Sequence, residues 1–372
     1  MRFSTMIMLA YLIPNIYIFI RIWRLFIIRK YALVYVLIFI GIASIFPLSN
    51  TIGYEPVRHC FDVVSTYLFP FYLYLFLATL AFDIFLLFNL FFKLLSKERM
   101  KSAPFRSYAL TGMISASLII VVCGALNFNT IRVTEYSIEV PARSSEAKSL
   151  KIAFVADFHI DHDISEDFIR RFVKEVNSLK PDIMLYGGDI VEGRNTRGLE
   201  SKTDILKQVS TKYGSYGVLG NHDRYRGPES TDFFENAKIN LLLDTVVVIG
   251  NEFCLAGRLD EGTRGRKSVK ELLLTADDTL PLVMLDHRPT EFPEVIESKT
   301  DIRLSGHTHR GQMFPNNLIM KAMYDLSYGH KKIENVHFFV TSGIRLWRYP
   351  VRTIGKSEVM LINVTFAPCA HR

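Results

Sequence analysis

Four long apolar stretches occupy the first third of this 372-residue chain, and they constrain its fold more than any other feature. They cover about Phe3–Ile20, Ala32–Leu48, Tyr67–Phe92 and Tyr108–Phe128. Each approaches or exceeds the roughly 20 residues that a helix needs to cross a bilayer. A cleaved signal peptide accounts for one stretch and leaves the other three unexplained. Residues 1–128 are therefore predicted to form a transmembrane region of about four helices.

The formal net charge is +7, and much of the positive charge lies in two short runs between apolar stretches. One run, 21–30, closes the first stretch early with Arg21 and Arg24, and the other covers 93–106. The connection between the second and third stretches holds one arginine, Arg58. Basic loops of membrane proteins face the cytoplasm, so four spans place the rest of the chain on the periplasmic or extracellular side. Three or five spans would reverse this orientation, and no nucleic-acid partner is expected.

The four cysteines are too few and too scattered for a disulfide scaffold, and no pair has the spacing of a cysteine metal site. Cys254 and Cys369 both follow the apolar region, and the sequence neither predicts nor excludes a disulfide bond between them.

After the apolar region, short apolar strands alternate with amphipathic helices. Residues 129–149 are predicted to be a linker with an edge strand, and 150–372 a soluble domain. One helix is expected to begin at Ser165, with Phe168 and Phe172 on its apolar face. Polar groups follow five of the strands, in the order Asp157-Phe158-His159, Gly187-Gly188-Asp189, Gly220-Asn221-His222-Asp223, Asp286-His287 and Gly306-His307-Thr308-His309.

These five groups predict a metal site. Taken alone, Asp-x-His and Gly-Gly-Asp are typical of turns, and a lone histidine such as His287 is more often structural. The carboxyl ends of parallel strands share one edge of a sheet, however, where ligand crevices form. Carboxylate, imidazole and amide ligands suit Mn, Fe or Zn better than Ca.

The same series resembles the motifs of the calcineurin-like metallophosphoesterase superfamily over about Leu150–Asn363. It is most similar to a membrane-associated bacterial branch that also contains transmembrane proteins with a metallophosphoesterase domain. The resemblance implies a four-layer α/β/β/α sandwich with two mixed sheets and a dinuclear site at one edge. It also implies a hydrolase of phosphoester or phosphoric anhydride bonds.

The resemblance further implies a role for each motif residue. Two divalent ions (Mn, Fe or Zn) activate a hydroxide for attack on phosphorus. His222 matches a histidine that contacts the phosphate without binding metal, and Asp223 is placed to orient it. The implied ligands are Asp157, His159 and His309 for one ion, Asn221, His287 and His307 for the other, and Asp189 as the bridge.

Some positions depart from the superfamily pattern. Arg310 stands where relatives commonly have glycine, and Glu192 stands where aspartate is frequent. Arg310, Arg345 and Arg348 are either solvated charges or guanidinium groups that bind the substrate phosphate. The apolar segment Met313–Tyr328 is either core or a membrane-facing lip of the active site.

The resulting hypothesis is a membrane-anchored phosphohydrolase of a phosphorylated substrate, with lipid-linked phosphates as the favoured class. The alternative is a catalytically silent membrane sensor or scaffold that binds a phosphorylated ligand through its metal domain. A transporter-like membrane region is a third alternative. It is disfavoured because the stretches show no paired set of buried charges, Asp83 being the obvious acidic residue deep in one. Natural substrate, metal identity and oligomeric state stay open.

Overall fold

The computed structural model describes residues 3–143, 147–192, 198–224, 229–346 and 348–367. The chain divides into two compact units. The helical unit comprises Met1–Leu126 with the short segment Arg348–Thr353, and the sheet unit comprises Asn127–Trp347 with Ile354–Arg372. The strand and linker predicted before residue 150 thus belong to the sheet unit, and a piece of the predicted soluble domain belongs to the helical unit. Cys254 is buried in the sheet unit, and Cys369 lies outside the described residues.

The helical unit is built from four long helices and one short one. They are α1 (Phe3–Phe26), α2 (Ala32–Leu48), α3 (Glu55–Phe92), α4 (Lys97–Lys101) and α5 (Ala103–Phe128). Within the described residues, four helices are long and apolar enough to cross a membrane, which confirms the predicted number. Large apolar side chains such as Leu33, Phe91 and Leu126 are exposed along them. Such exposure fits a helix surrounded by lipid.

Helix α3 begins earlier than the sequence predicted. Its 38 residues extend roughly 57 Å at about 1.5 Å per residue, which exceeds the roughly 30 Å hydrocarbon thickness of a bilayer. Arg58 and Asp62, predicted to lie in a loop, are in its first turns. Pro56 at the start of α3 supports this early beginning, because proline is tolerated in the first helical turn.

Two predictions about charge in the apolar stretches are wrong. Helix α1 does not end at Arg21, and the stretches do contain a charge pair, because the Arg21 guanidinium is bound to the Asp83 carboxylate of α3. Arg21 Nε donates to Asp83 Oδ2 at 2.7 Å, and the Tyr17 hydroxyl donates to the same carboxylate. Pairing lowers the free-energy cost of each charge in an apolar environment, so the helix continues past the arginine.

The segment Arg348–Thr353 packs within the helical unit. The ring of Tyr349 stacks on that of Phe69 in α3, with centroids 4.6 Å apart and planes 12° apart. The backbone N–H of Arg352 donates to the carbonyl of Gly124 in α5 at 3.0 Å. A Cβ at Gly124 would lie 2.7 Å from the side chain of Val351, so glycine permits this close approach.

The sheet unit contains two mixed six-stranded sheets. The first has the order β1 (Ile131–Pro141), β12 (Ser357–Ala367), β2 (Ser149–Val155), β3 (Ile183–Tyr186), β4 (Ser215–Gly217) and β5 (Ile239–Leu241). The second has the order β10 (Gly329–Ile333), β11 (Val336–Val340), β9 (Ile302–Ser305), β8 (Leu282–Leu285), β7 (Phe253–Gly257) and β6 (Thr245–Ile249). Strand β1 lies at an edge, as predicted. Strands β2 to β5 run parallel, as do β7, β8, β9 and β11.

Alternation along the strands produces four layers. Ile152 and Phe154 of β2 pack between the two sheets against residues such as Leu255 of β7. The intervening Ala153 and Val155 face the opposite side, where they join a core with Phe168. Successive strand residues point to opposite faces, so each sheet is covered on both sides. The predicted α/β/β/α sandwich is confirmed.

The sheet unit also contains short helices. They are α6 (Glu166–Leu179), α7 (Glu200–Leu206), α8 (Asn221–Arg224), α9 (Glu229–Asn236), α10 (Val269–Leu272), α11 (Phe292–Ile296) and α12 (Asn316–Met323). Side chains of α6, α7 and α9 join the core on the outer face of the first sheet, and those of α10 and α11 join the core on the outer face of the second. Helix α6 begins where predicted: Ser165 Oγ accepts from the N–H of Phe168 at 3.3 Å, which caps the first turn. Phe168 and Phe172 are buried on its inner face.

Candidate metal centre

Metal-ligand side chains follow the carboxyl ends of parallel strands in both sheets. In the first sheet, Asp157 follows β2, Asp189 follows β3 and Asn221 follows β4. In the second sheet, His287 follows β8 and His307 follows β9. Parallel strands bring their carboxyl ends to one edge, which is where ligand sites form in α/β folds. The predicted placement of the motifs at strand ends is confirmed.

The structure brings these side chains into three overlapping groups. In each group, one potential ligand atom per residue lies within 4.8 Å of the others. The groups are Asp157, His159 and His309; His159, Asp189 and His222; and Asp189, His287 and His307. The middle group shares a residue with each of the others, so all three form one continuous centre.

Buried ligand atoms in this centre lack hydrogen-bond partners in the described part of the chain. His159 uses its Nδ1 to contact Glu192 Oε2 at 2.8 Å, while its Nε2 is buried and has no partner. Asn221 Oδ1 is likewise buried and has no hydrogen-bond partner there. An unpaired buried polar atom costs free energy unless another group coordinates it. The donor set therefore fits divalent metal ions with mixed nitrogen and oxygen ligands.

A backbone hydrogen bond orients His287. Its Nδ1 lies 2.8 Å from the carbonyl oxygen of Gly187, so this nitrogen carries the proton and donates it. The Nε2 lies 3.1 Å from Asp189 Oδ2 and presents its lone pair to the centre when the ring is neutral. Such a partner on the far nitrogen is the usual arrangement for histidines that bind metal.

The backbone at the ligands is conformationally strained. Asp157, His159, Asp189, His307 and His309 all have positive φ angles, between 49° and 70°. Residues other than glycine rarely adopt this region, and each instance costs on the order of 1–3 kcal/mol. Five such residues in one centre indicate that ligand placement takes precedence over local backbone preference.

Two glycines allow the loops to approach the ligands. A Cβ at Gly220 would lie 2.2 Å from Asp189 Oδ1, closer than any real contact. A Cβ at Gly188, where φ is +90°, would lie 2.7 Å from His287 Nδ1. Side chains at these positions would displace the ligands, which explains why glycine directly precedes Asp189 and Asn221.

Burial and mutual charge shift the pKa values within the centre. Burial raises the pKa of Asp157 to about 6, and the nearby charge of Asp189 adds to this rise. Burial opposes ionisation of Asp189 as well, but the charge and hydrogen bond of His287 hold its pKa well below the usual range. The pKa of His287 rises to about 10, because Asp189 outweighs the opposite effect of burial. Two buried carboxylates need compensating positive charge, which divalent cations supply when bound.

Glu192 is a functional candidate to which the sequence assigned no role. Its Oε2 lies 2.8 Å from Nδ1 of His159 and 2.8 Å from Nδ1 of His222. Burial opposes ionisation, but hydrogen bonds from both rings lower the pKa of Glu192 to about 2. The sequence feature that could have indicated this role is the position of Glu192, three residues after Asp189. Glu192 therefore fixes two imidazole rings at once.

Asp223 does not make the contact that the sequence predicted. Its buried carboxylate accepts from the backbone N–H groups of Ile190, Val191 and Gly220, at 2.8–3.3 Å. These bonds hold together the loops after β3 and β4. Nδ1 of His222 instead donates to the carboxylate of Glu192. Asp223 is therefore a structural residue of the ligand loops, because its acceptor capacity is used by the backbone.

A buried charge network supports the second-sheet ligands. Asp286, the neighbour of His287, is fully buried and accepts from Arg258, Arg266 and Arg303 at 2.9–3.0 Å. Arg303 lies on β9, beside β8, the strand that precedes His287. The network ties the two strands together just before their ligands, and no local sequence pattern indicated it.

The three arginines predicted to bind phosphate lie in different environments. The Arg310 guanidinium lies 4.2 Å from the centre of the Tyr328 ring, next in sequence to His309. The Arg345 guanidinium lies over the rings of Phe128 and Phe168, at 4.6 and 5.1 Å. Arg348 belongs to the helical unit, with its guanidinium 6.0 Å from the Phe46 ring. Arg310 follows the proposed ligand His309 in sequence, and the backbone N–H of Arg345 donates to the carbonyl of Asp157 at 3.1 Å. Binding of phosphate by these arginines stays a prediction.

The segment Met313–Tyr328 is only partly core. Met313 is buried, whereas Leu318, Ile319 and Met323 of α12 are 55%, 52% and 64% exposed. Phe314 adds another exposed ring at 43%. We call these four exposed side chains the α12 patch. The ring of Tyr324, directly after α12, lies 6.4 Å from that of His307, so the patch adjoins the centre along the chain.

Comparison with known proteins supports the family resemblance. Residues 150–311 match the sequence model of the calcineurin-like phosphoesterase family. An uncharacterized metallophosphoesterase of Campylobacter jejuni is 26% identical over 97% of this chain and 98% of its own length. A transmembrane protein with metallophosphoesterase domain from Danio rerio is 28% identical over 72% of this chain and 66% of its own length. An uncharacterized metallophosphoesterase of Helicobacter pylori is 31% identical over 58% of this chain, and the match spans 60% of that relative.

Among solved structures, the NAD nucleotidase of Haemophilus influenzae superposes with a TM-score of 0.36 and 15% identity, covering 52% of this chain and 45% of that one. A 5'-nucleotidase precursor from Thermus thermophilus gives a TM-score of 0.35 and 13% identity, covering 59% and 56%. The family match and the transmembrane relatives agree with the observed order of helices, sheets and ligand motifs. This chain therefore carries a calcineurin-like metallophosphoesterase domain after four apolar, membrane-type helices.

Proposed function

We propose that this protein is a membrane-anchored hydrolase that uses two divalent metal ions to cleave a phosphoester or pyrophosphate bond. The observation that carries the proposal is the overlap of the three ligand groups. Asp189 belongs to the group with His287 and His307 and to the group with His159. A carboxylate shared in this way suits a bridge between two ions. Asp157 and His309 complete one end of the centre, and Asn221 supplies the buried amide oxygen.

The chemistry divides between the ions and the protein. Bound divalent ions supply Lewis-acid polarisation of the phosphoryl group and acidify a water molecule. Asp189 sets the spacing of the two halves of the centre. Glu192 keeps the His159 ring in the orientation that leaves Nε2 for coordination. The protein thus provides a preorganised arrangement that needs little movement during the reaction.

His222 is proposed to act on the substrate. Its side chain is 24% exposed, whereas the side chains of His159 and Asp189 are almost completely buried. Its Nδ1 is held by Glu192, and its Nε2 is the atom proposed to donate a proton to the leaving oxygen or a hydrogen bond to the phosphoryl group. His222 also lies within the ligand group of His159 and Asp189, so metal binding by this ring is the competing role.

An amphiphilic phosphate is the proposed substrate class. The α12 patch exposes four large apolar side chains, and Tyr324 links it to the His307 ring. A phosphate at the centre with an acyl chain along α12 would cover this surface. Two residues connect α5 to β1, so the sheet unit is attached directly to the last candidate span. We further propose that the unit lies on the outer side of the membrane, because the basic runs of the helical unit follow α1 and α3.

The test is hydrolysis by the full-length protein in detergent micelles. We expect hydrolysis of an aryl phosphate, a diester, a pyrophosphate or a lipid phosphate in the presence of Mn²⁺, Fe²⁺ or Zn²⁺. Chelation should abolish the activity and added metal should restore it. Two bound ions without turnover on any of these substrates would contradict an enzymatic role and favour the sensor alternative.

A further inference from the structure

A cavity in the helical unit lies between α1, α3, α4 and α5, in a part of the chain that the phosphoesterase chemistry does not use. Its volume is about 310 Å³. Four cations line it: Arg24 from α1, Lys97 and Lys101 from α4, and Arg106 from α5. Among the described residues that line it, none is acidic. The cavity therefore concentrates positive charge at the ends of α1 and α3.

The cations at this cavity have little compensating negative charge nearby, since the nearest carboxylate, that of the exposed Glu98, interacts electrostatically with Lys101 alone among them. Within the described residues, these four cations form no salt bridge. Arg106 Nε is buried and has no hydrogen-bond partner in that part of the chain. The neighbouring acidic residue, Glu98, is exposed on α4 and does not line the cavity. Repulsion among unpaired cations destabilises such a cluster, so an anion bound among them would stabilise it.

The rest of the lining is apolar and aromatic. The rings of Phe26 and Phe82 lie 5.5 Å apart, and those of Phe82 and Phe105 lie 6.3 Å apart. Leu25, Leu86 and Met100 complete the apolar part. A ligand that fits must combine a negatively charged group with hydrocarbon, which is the chemistry of an anionic phospholipid.

We propose that this cavity binds the phosphate headgroup of an anionic phospholipid, with its acyl chains against the apolar lining. Basic pockets between transmembrane helices at the cytoplasmic side are recognised sites for such headgroups. The basic runs that define the cavity also define the cytoplasmic side by their charge. The proposal does not depend on the phosphoesterase activity, because none of its residues belongs to the sheet unit.

The experiment uses the full-length protein in a neutral detergent and counts bound lipids by native mass spectrometry. Phosphatidylglycerol should bind at least about tenfold more tightly than phosphatidylcholine, since two charge contacts of about 1 kcal/mol each exceed the roughly 1.4 kcal/mol that a factor of ten requires. Arg106→Gln should weaken phosphatidylglycerol binding about fivefold, and Arg106→Gln with Lys101→Gln more than tenfold. Equal binding of the two lipids would overturn the proposal.

The matched control is Arg99→Gln, which removes an exposed charge from α4 without touching the cavity. It should leave lipid binding unchanged, and an equal loss would show that overall charge, not the cavity, attracts the lipid. Arg106→Lys should retain most of the binding. Thermal unfolding of each variant separates lost binding from lost folding. Inorganic phosphate and glycerol phosphate should compete only at concentrations far above those of the lipid. Competition at equal concentration would identify a site for soluble phosphate and refute the lipid proposal.

Discussion

Oε2 of Glu192 lies 2.8 Å from Nδ1 of His222, within a site where the sequence had suggested Asp223 for this contact. The same oxygen also reaches His159, a proposed ligand. One carboxylate thus positions a ring proposed to bind metal and a ring proposed to face the substrate. Loss of Glu192 should affect both functions, which distinguishes it from a residue that serves only one.

Glu192→Ala should lower turnover of an aryl phosphate and weaken metal affinity, each by about 10–100-fold, the range for residues that support ligands. Glu192→Asp should recover part of both. Calorimetric titration with the metal measures the affinity, and steady-state kinetics measure the turnover. Glu175→Ala, at a partly exposed glutamate of α6 outside the centre, is the control and should behave as wild type. Reduced turnover with unchanged metal affinity would contradict the dual role.

Asp189→Asn should remove both ions and nearly all activity, because the amide carries no charge and bridges poorly. Bound metal measured by elemental analysis, together with phosphate release, tests this expectation. Asp204→Asn changes an exposed carboxylate on α7 in the same way and should leave both quantities unchanged. A variant that keeps two ions and normal turnover would exclude Asp189 as the bridge.

His222→Ala should retain both ions while turnover falls about 10²–10⁴-fold, the usual effect of losing a positioned proton donor. Elemental analysis and kinetics on the same preparation distinguish the two roles of this ring. Loss of one ion would instead make His222 a ligand, as its proximity to His159 and Asp189 allows.

Replacing Leu318, Ile319 and Met323 with serine should raise KM for a lipid phosphate about tenfold or more, since three exposed apolar side chains would no longer contact the acyl chain. A small aryl phosphate should show almost no change. Because the three side chains are more than half exposed, the variant should fold normally. Leu274→Ser, an exposed leucine of the sheet unit outside the patch, provides the control. Equal effects on both substrates would remove the support for a lipid substrate.

A reporter that is active only outside the cytoplasm, fused after residue 372, should be active. A reporter inserted in the basic connection 93–106 should behave as cytoplasmic, because positive loops are retained on that side. The reverse pattern would mean that an odd number of helices crosses the membrane.

The sequence alone determined the features that depend on local residue patterns, namely the helices, the strands and the motifs at strand ends. Runs of apolar residues predicted the four long helices, and shorter apolar runs predicted strands such as β2. The ligands could be predicted because each follows a strand end, and parallel strands carry their ends to one edge. Ser165 likewise marked the start of α6, since its capping bond is local.

Only the tertiary structure decided which distant groups share a contact. Arg21 and Asp83 are 62 positions apart, and their pairing lets α1 continue past a charge that otherwise ends an apolar stretch. The Glu192 contacts, the Asp286 network and the cluster of cations around the helical cavity likewise bring together groups that are distant in the sequence. Such contacts depend on how strands and helices pack, and local patterns carry information only about neighbours along the chain. Exposure of α12 was undecided for that reason: its composition suits a core and a surface equally, and packing left Leu318, Ile319 and Met323 exposed.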